Sequence, residues 1–307
     1  MIIKRKIKKN TIINLKDIYF KKKDIKTSEL KILKKFPVRS LIDLSKGQKL
    51  KKNYFQNLKI GVVISCRLES TRLPNKAILK VGNISSIQRC INQVKNSNFK
   101  DIVLATSSKE KSSILEKISK KNRIGFFKGS DENLVLRNLQ VAKKMNYDHI
   151  IRVTGDSPLI SYELMNSLVA DHLMNNSDYT FNENLPLGTR SEVINVSALS
   201  EVYSKTRTDR YGEYLSLFFK NNPNFFRINK LNYMTIEKFK NIRINLDYMS
   251  DLKFINQLLS FFHNKKLISL KEIFIYLEFF HKNNKFVKSK YYQKKLYRQI
   301  LGDSKIK

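Results

Sequence analysis

From residue 58 onward, short uninterrupted apolar runs alternate with stretches of helical period, and no other feature of the chain limits its fold so strongly. Residues 59–66 read Lys-Ile-Gly-Val-Val-Ile-Ser-Cys, a polar loop follows, and residues 85–95 place apolar side chains at helical spacing. The same succession returns, with strands predicted over 101–107, 124–127 and 148–153 and helices over 110–120 and 131–145. Runs this short and this apolar are strands buried on both faces, because a strand with one wet face alternates with polar residues. Buried strands joined by helices make an α/β fold, a mostly parallel sheet with helices on both faces.

After residue 161 the alternation loosens. A helix is expected to about 175, strands over 178–181 and 191–196, and a Tyr/Phe-rich stretch at 211–226 that would form a substrate lid or a dimer surface. Residues 241–246 read as one last strand, followed by helices over 251–262, 269–280 and 288–301. Three segments are therefore expected: 1–55, a main domain over 56–282, and a basic helix or tail over 283–307.

The chain of 307 residues carries 60 Lys and Arg against 26 Asp and Glu, a formal charge of +34, yet 41% of it is hydrophobic, too much for a disordered polycation. The excess sits at the ends, with 18 bases against 4 acids in residues 1–55 and 9 against 1 in residues 281–307. Lys, Ile and Asn stand throughout in place of Arg, Ala and Gly, as A·T-biased codons would dictate, so nucleic acid is not the expected partner. A polyanion-binding or scaffolding protein is the non-enzymatic alternative. Cys66 and Cys90 form no Cys-x-x-Cys pair, which leaves disulfide and thiolate zinc frameworks unsupported. No run reaches the 18 apolar residues of a membrane helix, so a cytoplasmic protein without membrane insertion is expected.

In open α/β sheets ligands lie beyond the carboxyl ends of the strands, so the loops after Ser65, Thr106, Phe127 and Val153 should share one crevice. The first of them, Cys66-Arg-Leu-Glu-Ser-Thr-Arg-Leu-Pro-Asn-Lys76, gathers Arg67, Arg72 and Lys76 with the hydroxyls of Ser70 and Thr71. Guanidinium forks, an ammonium and backbone N–H groups in one turn suit a polyphosphate. Neither G-x-x-x-x-G-K-[ST] nor G-x-G-x-x-G occurs in that loop, which excludes the P-loop and dinucleotide fingerprints there.

The string R-x-x-S-T-R-L-P-x-K after an apolar first strand resembles the signature of the sugar cytidylyltransferases. The likeness is to the branch named after spore-coat polysaccharide biosynthesis, although Ser65-Cys66 replaces its Gln-Ala. Three more segments agree in order. Residues 129–142 resemble that branch's G-S-x-x-D/N-V-L-x-R-x-x-x-A, residues 152–160 (Arg-Val-Thr-Gly-Asp-Ser-Pro-Leu-Ile) its R-I-T-G-D-C-P-L-I, and residues 242–247 its R-x-T-V-D. The resemblance implies a Rossmann-like sheet of the nucleotide-diphospho-sugar transferase (GT-A-like) type. It also implies a Mg²⁺-dependent nucleotidyltransferase that joins CTP to an acidic, nonulosonic-type sugar, and a homodimer. A glycosyltransferase consuming a nucleotide-sugar is the enzymatic alternative on the same fold.

By the same likeness Arg67 and Lys76 hold the triphosphate and serve catalysis with Asp156 and Asp247, which jointly hold Mg²⁺. Magnesium takes one or two carboxylates plus phosphate oxygens. Thr106, Ser107, Asp131 and Arg137 would bind the nucleotide at its base. In the acceptor region Glu192 and Arg210 are implied, with Arg190 standing where the family has an acid. The residues alone leave other roles open: Asp156 as a turn or cap residue before Pro158, and Asp247 as a cap for the helix from 251. His149, His172, His263 and His281 show no ligand spacing.

Residues 7–21 and 38–49 resemble the small SAF (antifreeze-like) β-rich domain of sialic acid synthases, with Asn10 in place of its first glycine and Gly47 at the second. That likeness implies an acceptor of the nonulosonic class.

Overall fold

Isoleucines give the amino-terminal segment a core of its own. In the computed structural model, which describes residues 1–20, 36–109, 113–206, 215–232 and 239–282, β1 (Ile2–Ile3) pairs antiparallel with β3 (Ile18–Tyr19). Strands β2 (Ile12–Ile13), β4 (Val38–Ser40) and β5 (Phe55–Asn57) form a second antiparallel sheet. Ile3, Ile7, Ile13, Val38 and Leu44 are all but sealed from solvent between them. Pairing continues to Asn57, two residues past the boundary expected from composition.

The main sheet has seven strands. They are β6 (Ile60–Ser65), β9 (Ile102–Ser107), β10 (Gly125–Gly129), β11 (His149–Thr154), β12 (Tyr179–Phe181), β13 (Glu192–Asn195) and β14 (Ile228–Lys230), in the order β10-β9-β6-β11-β13-β12-β14. Only β13 runs against the rest. A short hairpin, β7 (Lys80–Val81) and β8 (Ile84–Ser85), lies outside it.

Helices α1 (Ser86–Lys95), α2 (Ile114–Asn122), α3 (Leu134–Met145) and α4 (Tyr162–Met174) connect the parallel strands. Three of them start on a side-chain cap: Ser85, Asn133 and Ser161 accept the N–H of Gln88, Leu136 and Leu164. Helices α5 (Val196–Thr206), α6 (Leu215–Lys220), α7 (Met249–Phe261) and α8 (Leu270–Lys282) complete the described chain. No described helix is long and apolar enough to cross a membrane.

The continuous apolar runs are explained by the two faces. Val62, Ile64, Ile102, Leu104, Ile151 and Val153 pack under α1 and α4, while their neighbours Val63, Val103, Ala105 and Ile150 pack under α3, α5 and α6. Most residues of these strands must then be apolar, which is what the sequence shows. The α/β fold with its mostly parallel sheet is the one expected.

One expectation fails. Residues 241–246 do not form a strand of the sheet. Ile242, Ile244 and Leu246 alternate as a strand would, but they face a third core with α7 and α8, and the segment's backbone bonds to the loop at Leu187 and to the Asp156 carbonyl rather than to a strand of the sheet. The seventh strand is instead β14, too short and polar to stand out in sequence.

The amino-terminal unit docks where the sheet's parallel strands begin. Ile12 enters the main core, Asn14 Nδ2 donates to the Leu173 carbonyl at the end of α4 (3.0 Å), and Arg39 pairs with Asp148 just before β11 (2.9 Å). That is the end of the sheet opposite the loops that follow Ser65 and Thr154.

Candidate active site

Parallel pairing sets Ser65, Ala105 and Thr154 side by side at the carboxyl ends of β6, β9 and β11. The loops that follow β6, β10 and β11 enclose a cleft of about 200 Å³, lined by Arg67, Arg72 and Lys76 from the first loop, by Asp131 and Arg137 around the start of α3, and by Arg152 and Asp156. The crevice expected from topology is there, except that no described residue of the loop after Thr106, Ser107 included, lines it. Ser70 and Thr71 belong to the first loop but do not line the cleft, and Thr106 is fully buried in β9.

The two acids meet on one ammonium. Lys76 Nζ donates to Asp156 Oδ2 at 2.7 Å and to Asp247 Oδ1 at 2.8 Å. The backbones that carry them are stitched as well, Leu246 N–H donating to the Asp156 carbonyl at 2.7 Å. Burial works against ionisation of Asp247, but the charges and hydrogen bonds of Lys76, with Arg72 and Arg243, hold its carboxyl below the usual carboxylate range. Burial likewise opposes the charge on Lys76, and the Asp156 and Asp247 carboxylates outweigh it.

Neither acid caps a helix. The N–H groups of Asp247 and Tyr248, ahead of α7, are taken by Asp251, each at 2.8 Å. Asp251 also grips Arg243 through both oxygens, at 3.0 and 2.9 Å. The Asp247 carboxylate is thereby left free of a capping role, and it lines a second cavity. Among the described residues no three His, Cys, Asp or Glu side chains form a cage. Two convergent carboxylates beside a cation-lined cleft are nevertheless a donor set that magnesium accepts.

A second cavity of about 590 Å³ adjoins the first, sharing Arg152 and Thr154 with it. Asp247, Arg190, Glu192, Lys220, Arg243 and Asn245 line it. Glu192 accepts from Arg152 (2.5 Å), Tyr179 (2.6 Å) and Ser216 (2.7 Å). Burial would raise its carboxyl, and the Arg152 charge with these three donors holds it low instead. Arg190 ties two loops together, donating to the carbonyls of Leu185 and Lys240. A cation at that position is thus a strut as well as part of the cavity wall. Arg210, the other implied acceptor residue, lies outside the described residues, as does the segment 283–307.

At the far wall Asp131 pins the loop after β9. It accepts from the Ser107 hydroxyl, from Ser108 Oγ and from the Lys109 N–H, both at 2.8 Å. The Ser107 and Lys109 hydrogen bonds pull its carboxyl down to about 2. Arg137 is buried and donates to the carbonyls of Ser130 and Asp131, each at 2.7 Å, so it shapes the segment that carries Asp131.

Sequence reading missed Arg152, Arg243, Asn245 and Lys220. A signal existed for Arg152, a lone cation in an otherwise apolar strand, which demands a buried acid in front of it. His149 and His172 face each other at 3.1 Å, far from both cavities in the strand-and-helix core.

A family model described as Cytidylyltransferase matches residues 61–297. The chain belongs to the cytidylyltransferase family. It is 32% identical over 202 residues to the spore coat polysaccharide biosynthesis protein SpsF of Bacillus subtilis, covering 64% of this chain and 84% of that one. A 3-deoxy-manno-octulosonate cytidylyltransferase of Rickettsia bellii is 31% identical over 123 residues, 39% of this chain and 49% of that one. Among solved structures, a cytidylyltransferase from Leptospira borgpetersenii superposes with a TM-score of 0.69 at 26% identity, over 77% of this chain and 100% of that one. A CMP:2-keto-3-deoxy-manno-octonic acid synthetase complexed with CTP gives a TM-score of 0.52 at 14% identity, covering 66% and 98%, a likeness of fold. The matched region leaves out the amino-terminal unit.

Proposed function

We propose that this cytidylyltransferase transfers a cytidylyl group from CTP to a hydroxyl of an acidic, nonulosonic-type sugar, releasing pyrophosphate, in the making of a surface polysaccharide. The observation that carries the reading is the adjacency of two cavities across the Lys76–Asp156–Asp247 cluster. The smaller one has the cations for a triphosphate, and the larger one has the volume and the mixed charges for a polyhydroxylated acid.

Arg67, Arg72 and Lys76 hold the phosphates, so that negative charge growing on the departing pyrophosphate meets fixed cations. Ser107, Asp131 and the backbone of the segment shaped by Arg137 face the base. In the larger cavity Glu192, oriented by Arg152, accepts from sugar hydroxyls, while Arg190 and Lys220 face the acceptor carboxylate. The sugar hydroxyl is the nucleophile: its oxygen bonds to the α-phosphorus, the bond from that phosphorus to the β-bridging oxygen breaks, and the hydroxyl proton leaves to solvent. Asp156 and Asp247 are the residues that would hold Mg²⁺, which when bound neutralises phosphate charge as a Lewis acid. Holding both reactants across one ridge supplies the proximity such a displacement requires.

The SAF-like reading of the amino-terminal unit belongs to the same proposal, supported by its β-rich build and its own core. None of its described residues lines either cavity of its own chain, so in this reading its contact with an acceptor passes through a second copy in the proposed homodimer.

The test is pyrophosphate release with Mg²⁺, each of the four nucleoside triphosphates, and a panel of sialic, legionaminic, pseudaminic and 3-deoxy-octulosonic acids. Release that needs both CTP and one acid supports the reading. Transfer from a preformed nucleotide-sugar without pyrophosphate would replace it with a glycosyltransferase.

A further inference from the structure

Asp247 has no idle oxygen. Its Oδ1 accepts from Lys76 at 2.8 Å and from Arg72 Nη2 at 3.2 Å, while its Oδ2 accepts from Asn245 Nδ2 at 2.9 Å and faces Arg243 Nη1 at 3.7 Å. Lys76 bridges from there to Asp156. These are not loose surface contacts: the side chains of Asp247 and Lys76 are 9% and 13% exposed. Two carboxylates thus face three cationic side chains, one of which, Arg243, is shared with Asp251.

A divalent cation held by Asp156 Oδ2 and Asp247 Oδ1 would stand where the Lys76 ammonium stands, and at such separation like charges exclude one another. The backbone at Lys76 is fixed, its N–H donating to the Leu73 carbonyl after Asn75 in the left-handed region (φ 55°). Its four-carbon stem is free to carry the charge elsewhere. The cleft wall beside it is where a triphosphate would offer oxygens to Lys76 and Arg72 together.

We propose that the Lys76 ammonium and a divalent cation are alternative occupants of the Asp156–Asp247 pair. The triphosphate decides between them by drawing Lys76 and Arg72 onto its own oxygens. This rests on the nucleotidyl-transfer reading of the site and adds a rule of occupancy: without nucleotide the protein holds divalent cations poorly, and the two ligands strengthen each other's binding by the same factor.

The experiment is a titration with Mn²⁺, followed by the electron-paramagnetic signal of the free ion, with and without α,β-methylene-CTP, which cannot transfer its cytidylyl group. Wild-type protein should bind Mn²⁺ alone at least tenfold more weakly than in the presence of the analogue. Lys76→Met and Lys76→Gln, each checked for an unchanged thermal melt, should bind Mn²⁺ alone at least tenfold more tightly than wild type. Arg67→Met removes a cation that lines the cleft and is not one of the four contacts of Asp247 given above, and it should change that affinity far less. Equal gains from Arg67→Met and Lys76→Met would overturn the proposal, leaving only a net-charge effect. So would wild-type protein that binds Mn²⁺ alone as tightly as the Lys76 variants do. Both results leave the transferase reading intact if the analogue binds. If neither the analogue nor Mn²⁺ binds any of the folded proteins, the transferase reading fails and the occupancy rule fails with it.

Discussion

A Cβ on Gly188 would lie 2.4 Å from the backbone nitrogen of Asn245. Gly188 also has φ +95°, a conformation that side-chain-bearing residues avoid. The loop at 185–190 therefore presses directly on the segment that delivers Asp247, and hydrogen bonds between Leu187 and residues Ile242 and Ile244 hold the two in register. Gly188→Ala should cost about 1–3 kcal/mol from strain and overpacking. Because the displaced segment ends at Asp247, cytidylyl transfer should fall at least tenfold, while binding of the nucleotide analogue without metal changes little. Equilibrium unfolding in urea and pyrophosphate release measure the two effects separately.

Glu192 and Arg152 form a buried pair, the side chains 17% and 10% exposed. Breaking such a pair from one side strands a charge in a medium that cannot solvate it. Glu192→Ala should lower stability by about 3 kcal/mol at pH 7, and the variant's loss of activity must be judged on protein shown to be folded. Glu192→Gln keeps the Tyr179 and Ser216 donors partly served and should lose about half as much. A variant as stable as wild type would remove the pair from the list of contacts that matter to the fold.

How far the site could be read in sequence follows from where its residues sit. Arg67, Arg72, Lys76 and Asp156 leave strands whose apolar runs are unmistakable, so their meeting at one crevice follows from topology alone. Asp247 was found by motif, but its support was misread: alternation at Ile242, Ile244 and Leu246 is the same pattern whether the partner is a sheet or two helices. Asn245 and Lys220 enter the larger cavity from an irregular segment and the end of a short helix, where periodicity carries no signal. The cap role left open for Asp247 fell to Asp251, four residues on, a choice between two acids that only the backbone path decides.

Acid should destabilise the fold through the buried imidazoles. His149 is held well below the ordinary histidine range by burial, and also by His172 and Arg39, with Asp178 acting in the opposite sense. Burial and then Arg227 push His172 down to about 3. An unfolded histidine takes its proton near pH 6.5, so between there and about pH 3 the unfolded state binds more protons than the native one. Stability then falls on acidification by about 1.4 kcal/mol per pH unit for each such histidine. His172→Gln should flatten the stability profile between pH 6.5 and 4.5 relative to wild type, as urea midpoints across that range would show.

The amino-terminal unit offers the contrast between stability and turnover. Asn14 is buried, and its Nδ2 meets the Leu173 carbonyl at 3.0 Å, at the end of the sheet away from both cavities. Asn14→Ala removes this donor while the carbonyl keeps the Asn176 N–H at 3.2 Å, at a cost of about 0.5–1.5 kcal/mol. Nothing in the cleft moves with it, so analogue affinity should stay within twofold of wild type. If the unit reaches an acceptor site, it does so in a second copy. Any rise in the acceptor KM of this variant should then accompany a shift toward monomer in sedimentation. A KM change in a protein that remains monomeric throughout would mean that the unit acts on its own chain across the sheet, a route for which the lining of the two cavities provides no residue among those described.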